Sequence, residues 1–355
     1  MTILLIILIT AIFLVILGWP VWYLGRLYKA NNAVSWILVP GILVIFFFCV
    51  SLLAEFQSWI TVSHVSRILL YYLVSIHGLL FLVSLVGVIA KRLFRIPSRT
   101  LFWTLIVCTC VFTIGARIQG NRIVVTDITI PAEHITRAYQ FVHISDLHHG
   151  STTARYARRV VEKIQPLDPE FMVITGDFID ENFVTSAGIA DFNRLDFPQY
   201  LITGNHEYYL EENKIQAVIA ESGIKLIDNQ RVVYEELDII GINELATIDE
   251  TLASIGSLDT NRYTIILDHQ PKTDEAHRAA SHAVDLMLSG HTHKGQVWPL
   301  GLLVRFQFKY LAGLYQIDEM ALYVNQGTGT FGPAFRFGSV NEITLITLEP
   351  MGKIE

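Results

Sequence analysis

The stretch Leu288-Ser289-Gly290-His291-Thr292-His293 carries two imidazoles one residue apart, directly after the short apolar run Ala283 to Leu288. Neutral imidazole is a common ligand for transition metals, and two rings on one turn can approach a common centre. Taken alone, the pair reads equally well as two surface histidines. Four further clusters change that balance: Asp146-Leu147-His148, Gly176-Asp177, Gly204-Asn205-His206-Glu207 and Asp268-His269-Gln270-Pro271.

Each cluster follows an apolar run that reads as a strand: Phe141 to Ser145, Phe171 to Thr175, Tyr200 to Thr203 and Tyr263 to Leu267. Helical patterns lie between them, at Thr153 to Gln165, stopped by Pro166, and at Glu211 to Ser222, ended by Gly223. Lys225 to Ile242 reads as two or three short strands. This alternation predicts an α/β domain. In open α/β folds the carboxyl ends of the strands line the binding crevice, so five clusters can converge on one rim. They offer carboxylates, imidazoles and one carboxamide, with no thiolate. That mixture suits Mn, Fe or Zn in a nitrogen and oxygen site, with enough groups for two ions. Paired metals are a recurring device for displacement at phosphorus.

The whole chain is too apolar for one ordinary soluble domain: 52% of its 355 residues are hydrophobic and the mean hydropathy is +0.43. Four runs are each about as long as the roughly 20 apolar residues needed to cross a bilayer: Ile3 to Leu24, Val34 to Ala54, Ile68 to Ala90 and Leu101 to Ile118. The first lacks a basic leading region and ends in Trp19-Pro20 with Trp22 and Tyr23, so it reads as a retained span rather than a signal peptide. Residues 1–118 hold eight Lys/Arg and one acid, Glu55, a charge of +7; the remainder holds 18 basic and 32 acidic residues, a charge of −14. A membrane part followed by an acidic soluble part is expected, and an acidic domain argues against nucleic-acid binding. The loops holding Arg26, Lys29, Lys91, Arg92, Arg95 and Arg99 outweigh the side holding Arg67, Arg117 and Arg122. This places those two loops in the cytoplasm and the acidic domain outside it. Cys49, Cys108 and Cys110 all lie in the apolar runs, so the soluble domain does not depend on disulfides. Residues 119–138 read as a connector, with a first strand beginning at Ile123 to Ile130, and 139–355 as the soluble domain.

Asp146-x-His148, Gly176-Asp177, Gly204-Asn205-His206-Glu207, His269 and Gly290-His291-x-His293 resemble, in order, the motif set of the calcineurin-like metallophosphoesterases. The resemblance runs from about Tyr139 to the C-terminus. The tail, with Gly313-Leu314-Tyr315 and Gly327-Thr328-Gly329-Thr330, looks like the bacterial membrane-anchored branch, which includes enzymes similar to UDP-2,3-diacylglucosamine hydrolases and cell-envelope phosphodiesterases. The implied fold is a four-layer sandwich, two mixed sheets flanked by helices, here preceded by four transmembrane helices. The family pattern implies that Asp146, His148 and His293 hold one metal, that Asn205, His269 and His291 hold the other, and that Asp177 bridges them. It further implies two divalent ions, Mn favoured over Fe or Zn, and a metal-bridging hydroxide as nucleophile. His206 is then no ligand but a catalytic group that stabilises phosphoryl oxygens or protonates the leaving oxygen.

Several neighbours take plainer roles. His149 reads as a rim residue within reach of substrate, and Asp180 and Glu207 as supports for the metal-binding histidines or nearby amides. His143 reads as a core histidine. Lys294 stands where many relatives have Gly and could meet an anionic substrate; Asn341 stands near where Pro is common. Val297 to Tyr310 reads as a strand or hairpin, Leu303, Arg305, Gln307 and Lys309 alternating with Val304, Phe306 and Phe308. The alternative has Trp298, Leu300 and Leu302 dipping toward lipid headgroups. The expected protein is thus a multi-pass membrane phosphoesterase acting on a phosphomonoester, phosphodiester or pyrophosphate, with lipid-linked envelope phosphates as the favoured class. A non-catalytic sensor or scaffold on the same fold is the competing class. A transporter is disfavoured by the lack of charge inside the apolar runs.

Overall fold

Strands buried on both faces organise the C-terminal unit of the structure, a computed structural model that describes residues 18–28, 60–211, 213–220 and 222–351. The chain divides into two units, Met1–Arg117 and Ile118–Glu355.

In the first unit, α1 (Ile60–Phe94) and α2 (Ser98–Gln119) are both apolar helices. They are separated at Pro97, whose carbonyl accepts from Leu101 N and so opens α2. Within them, Ser75–Phe94 and Ser98–Gln119 are long and apolar enough to cross a membrane. Two such helices therefore occur among the described residues, where four were expected. The expected span Val34 to Ala54 lies outside the described residues; Ile3 to Leu24 is described only from residue 18, where the chain is helical to residue 27.

The second unit holds two six-stranded sheets. The chain runs β1 (Ile123–Ala132), β2 (Tyr139–Ile144), α3 (Ala154–Ile164), β3 (Phe171–Thr175), β4 (Gln199–Ile202), α4 (Lys214–Ile219), β5 (Ile224–Leu226), β6 (Gln230–Tyr234) and β7 (Leu237–Gly241). It continues through α5 (Ile248–Ile255), β8 (Tyr263–Leu267), α6 (Thr273–Ser281), β9 (Leu286–Ser289), α7 (Leu300–Val304), β10 (Gly313–Ile317), β11 (Met320–Val324) and β12 (Asn341–Pro350). The first sheet has the order β1-β12-β2-β3-β4-β5, parallel except for the antiparallel β12–β2 pair. The second has the order β10-β11-β9-β8-β7-β6, with β9, β8 and β7 parallel at its centre.

Alternate side chains of one strand enter different cores, as the strand pleat requires. Phe141 of β2, with Ile265 and Leu267 of β8 and Leu286 and Leu288 of β9, fills the space between the sheets. Val142 and Ile144 face the other way onto Ala157, Val160, Val161 and Ile164 of α3. Ile266 and Met287 face outward onto Ala276 and Ala279 of α6. Both faces of each central strand are buried, which is why these runs are almost wholly apolar in sequence. The layers are helix, sheet, sheet, helix. Thr153 accepts from Tyr156 N and caps α3, and Thr247 with Glu250 forms a capping box on α5.

One segment departs from its expected form. Val297 to Tyr310 is not a strand: it holds the short helix α7 and a loop. The outer place beside β11 is taken by β10, and the apolar alternation of this segment does not enter either sheet.

Candidate metal centre

The five clusters leave the carboxyl ends of β2, β3, β4, β8 and β9, three strands from one sheet and two from the other. Loops of one sheet fasten each other: Asp146 N donates to Gly176 O at 3.0 Å and His148 N to Asp177 O at 2.9 Å. Loops of the two sheets are tied as well, His269 Nδ1 to Thr175 O at 2.7 Å and His291 N to Asp146 Oδ2 at 2.9 Å. Asp146, His148, Asp177, His291 and His293 all lie at positive φ, between 48° and 66°. Non-glycine residues seldom occupy that region, and these loop hydrogen bonds hold Asp146, His148, Asp177 and His291 there.

Three sets of side chains bring donor atoms close enough to hold a cation: Asp146, His148 and His293; Asp177, His269 and His291; and His148, Asp177 and His206. His148 Nε2 faces His293 Nε2 at 3.0 Å, and Asp146 Oδ1 lies 3.2 Å from His293 Nε2. His269 Nε2 meets Asn205 Oδ1 at 3.2 Å, His291 Nδ1 at 3.1 Å and Asp177 Oδ2 at 3.3 Å. Asp177 Oδ2 is also 3.8 Å from His148 Nε2, so one carboxylate faces both groups. All seven residues expected as ligands are brought together.

Whether this cluster suits metal ions can be judged from its own atoms. Asp146 Oδ1 is buried and accepts no hydrogen bond. Its other oxygen accepts from Ser145 Oγ and His291 N. The ring nitrogens of the two groups converge in pairs, His148 Nε2 on His293 Nε2 and His291 Nδ1 on His269 Nε2, so each pair can turn its lone pairs to a shared cation. His269 Nδ1 donates to a backbone carbonyl, which leaves Nε2 free to bind. Burial pushes the His291 and His293 rings down, to about 3 and about 4, so both are neutral and ready to ligate. The donor set fits two divalent ions.

Supporting groups surround the cluster. Asp180 Oδ2 lies 3.5 Å from His148 Nδ1 and is itself held by Ser151 N and Oγ. Glu207 is buried and accepts four backbone N–H groups, from Asp177, Phe178, Ile179 and Gly204. It thereby clamps the two loops that deliver Asp177 and Asn205. Burial and the Asp177 charge push its carboxyl up to about 8, while the four amides favour the ionised form. His206 is half-buried, its ring 4.7 Å from that of His148 and 5.2 Å from that of Phe331. Lys294 is exposed beside the histidine pair. His143 is buried with Nε2 2.8 Å from Thr175 Oγ1.

His149 departs from its expected place at the rim. It is buried, its ring lies against Gly188, and it belongs to none of the three sets. Its backbone pairs with Phe178 and Asp180, which turns the side chain away from the cluster.

Arg336 carries no signal in the sequence. It is fully buried and donates to Gln326 O at 2.7 Å, Gly327 O at 3.0 Å, Gly329 O at 2.6 Å and Asn341 Oδ1 at 2.8 Å, with Nη2 3.2 Å from His293 Nδ1. Burial without a carboxylate partner pushes it down to about 10. Asn341 completes this arrangement and donates its side-chain N–H to Gly120 O at 2.8 Å. No local pattern marks an arginine in such a loop.

Gly290 cannot gain a side chain, since a Cβ there would strike Ser145 Oγ and the Asp146 carboxylate. Gly290→Ala is expected to lower metal content and activity together by at least about tenfold, the size of losing a group that orients a ligand. Metal analysis of the purified variant checks this; full occupancy would refute it.

A family model described as calcineurin-like phosphoesterase matches residues 139–295. An uncharacterized metallophosphoesterase of Campylobacter jejuni is 30% identical over 290 residues, covering 76% of each chain. One from Helicobacter pylori is 28% identical, covering 64% of each chain. A Bos taurus protein named transmembrane protein with metallophosphoesterase domain is 29% identical, covering 68% of this chain and 61% of that one. With the motifs, the two-sheet sandwich and these relatives in agreement, the chain belongs to the calcineurin-like phosphoesterase family.

Proposed function

We propose that this chain is a membrane-anchored phosphoesterase that uses two divalent cations, manganese first among those to test. The observation that carries the reading is the Asp177 carboxylate, whose Oδ2 lies 3.8 Å from His148 Nε2 on one side and 3.3 Å from His269 Nε2 on the other. Asp146, His148 and His293 would hold one ion, Asn205, His269 and His291 the other, with Asp177 shared. Bound cations would lower the pKa of water and offset the charge gathering on phosphoryl oxygens. The chain's own residues do the rest. Glu207 and the 2.8 Å bond from His206 N to Asp177 Oδ1 hold the shared carboxylate in place. His206, half-buried beside His148, can stabilise a phosphoryl oxygen or give a proton to the leaving oxygen. Phe331, set against His206 and His148, narrows access to them.

Chelation should abolish hydrolysis and added Mn should restore it, in a screen of phosphomonoesters, phosphodiesters and lipid pyrophosphates. His206→Ala is expected to lower turnover by about 100-fold or more, the usual scale for a general acid, with both ions retained. Loss of an ion in proportion to activity would show that His206 is a ligand.

The anchoring reading draws on the two apolar helices and on the name of the bovine relative. The finer proposal is a multi-pass protein of the cytoplasmic membrane, with the catalytic unit outside and lipid-linked envelope phosphates as substrate. A phosphatase reporter fused after Glu355 should be active and a cytosol-only fluorescent reporter dark; the reverse pattern would overturn the orientation.

A further inference from the structure

The helix α7 and the loop after it are the most apolar exposed feature of the second unit. Trp298 is 61% exposed, Leu302 56%, Leu303 64% and Phe306 90%, and Leu300 is exposed beside them. Large contiguous apolar surface on a folded unit marks an interaction site. Here it stands on a braced support. Phe308 is buried with its ring 5.1 Å from that of His291, and Trp298 N donates to Phe337 O at 2.7 Å. Gln296 exchanges two hydrogen bonds with the backbone of Phe331, the residue against His206. The crest is therefore fastened at both ends to the metal centre.

Charge identifies what covers it. The second unit is strongly acidic, yet no Asp or Glu occurs from His293 to Ile317, while Lys294, Arg305 and Lys309 are all exposed in that stretch. A two-fold contact of the crest with a second copy would set these cations against one another. Trp at the rim, aliphatic side chains at the tip and cations at the flanks match the headgroup region of an anionic bilayer. Only Gly120, Asn121 and Arg122 separate α2, long enough to cross a membrane, from β1, so a bilayer is always within tethered reach.

We propose that Trp298 to Phe306 is a membrane-docking element that enters the headgroup layer of an anionic bilayer and presents the metal centre to phosphates borne at that surface. Docking itself stands independently of catalysis; the substrate consequence rests on the phosphoesterase reading above.

The test uses the full chain with Cys49, Cys108 and Cys110 replaced by Ser, in nanodiscs containing phosphatidylglycerol. An NBD fluorophore is attached at Leu302→Cys or, as the control, at Val233→Cys, an exposed position on β6. Blue-shifted emission and several-fold quenching by nitroxide lipid at position 302, absent at 233, support docking. Solvent-like emission at 302 overturns it, and so does a blue shift that nitroxide lipid leaves untouched but that grows with protein density, which would indicate contact between copies. In a second arm, Leu302→Ser with Phe306→Ser should lower turnover of phosphatidic acid in nanodiscs several-fold while p-nitrophenyl phosphate is hydrolysed at the wild-type rate. Equal rates on both substrates overturn the substrate consequence. Quenching at 302 with no hydrolysis of any phosphate ester by wild-type protein supports docking and overturns the phosphoesterase reading instead.

Discussion

Asp177→Asn is expected to reduce phosphoester hydrolysis by more than about 100-fold, because losing a mere supporting group at a metal site already costs about 10–100-fold. The substitution keeps the shape of the side chain and keeps an oxygen for His206 N, which Asp177 Oδ1 now accepts at 2.8 Å. What it removes is charge. The other carboxylate in the cluster, Asp146, faces only the His148 and His293 group, whereas Asp177 Oδ2 lies 3.3 Å from His269 Nε2 and 3.8 Å from His148 Nε2. A neutral amide there leaves the His269 group with no anionic donor, and two cations lose the charge that lets them share one site. The variant should therefore fold, bind less metal and turn over little. Metal content and initial rates on the same sample check this together. Turnover within about tenfold of wild type, against the scale above, would remove Asp177 from the shared position.

Arg336→Met is expected to cost at least about 3 kcal/mol of stability, since each buried acceptor left unpaired costs about 1–3 kcal/mol. The stem of the side chain is retained, so the cavity is small. The donors are not: Gln326 O and Gly329 O lose their partner at once and Asn341 Oδ1 loses Nε, while Gly327 O keeps Glu342 N at 3.0 Å. Relief of the buried charge offsets part of this. For a unit of this size the loss corresponds to a fall of about 6–12 °C in unfolding temperature, at about 2–4 °C per kcal/mol. The loop 326–329 also lies against His293, so metal affinity should fall alongside. Thermal unfolding of the full chain in detergent gives the answer. A shift below about 2 °C, less than 1 kcal/mol on that scale, would mean the carbonyls find other donors.

Much of the site is legible in the sequence because its residue types are wrong for their surroundings. Asp146, Asp177, Asn205, His269 and His291 each follow a run that reads as a buried strand, and five such clusters together point to one shared site where a single one does not. Glu207 is legible only as a helper; its grip on four amides from two loops depends on how β3 and β4 align. His149 looks like a rim residue because it follows His148, yet backbone pairing to the β3 loop turns its ring onto Gly188. Arg336 leaves no trace at all, since nothing local predicts that four backbone carbonyls will be turned inward around one guanidinium.

Which residues would ligate came from the resemblance to a known family; the linear chain by itself determined the α/β alternation, the order of the five polar clusters, the apolar N-terminal part and the donor types on offer. These follow from local rules: hydrophobic period sets strand or helix, and donor chemistry sets which ions can bind. Tertiary structure alone decided the distances at which the donors meet, why five residues can stay at positive φ, and that Trp298 to Phe306 forms an exposed helical crest rather than a strand. Those outcomes depend on contacts between residues far apart in the chain, as where His291 meets Asp146 and Arg336 meets His293, and a local pattern holds no record of what the other sheet will bring.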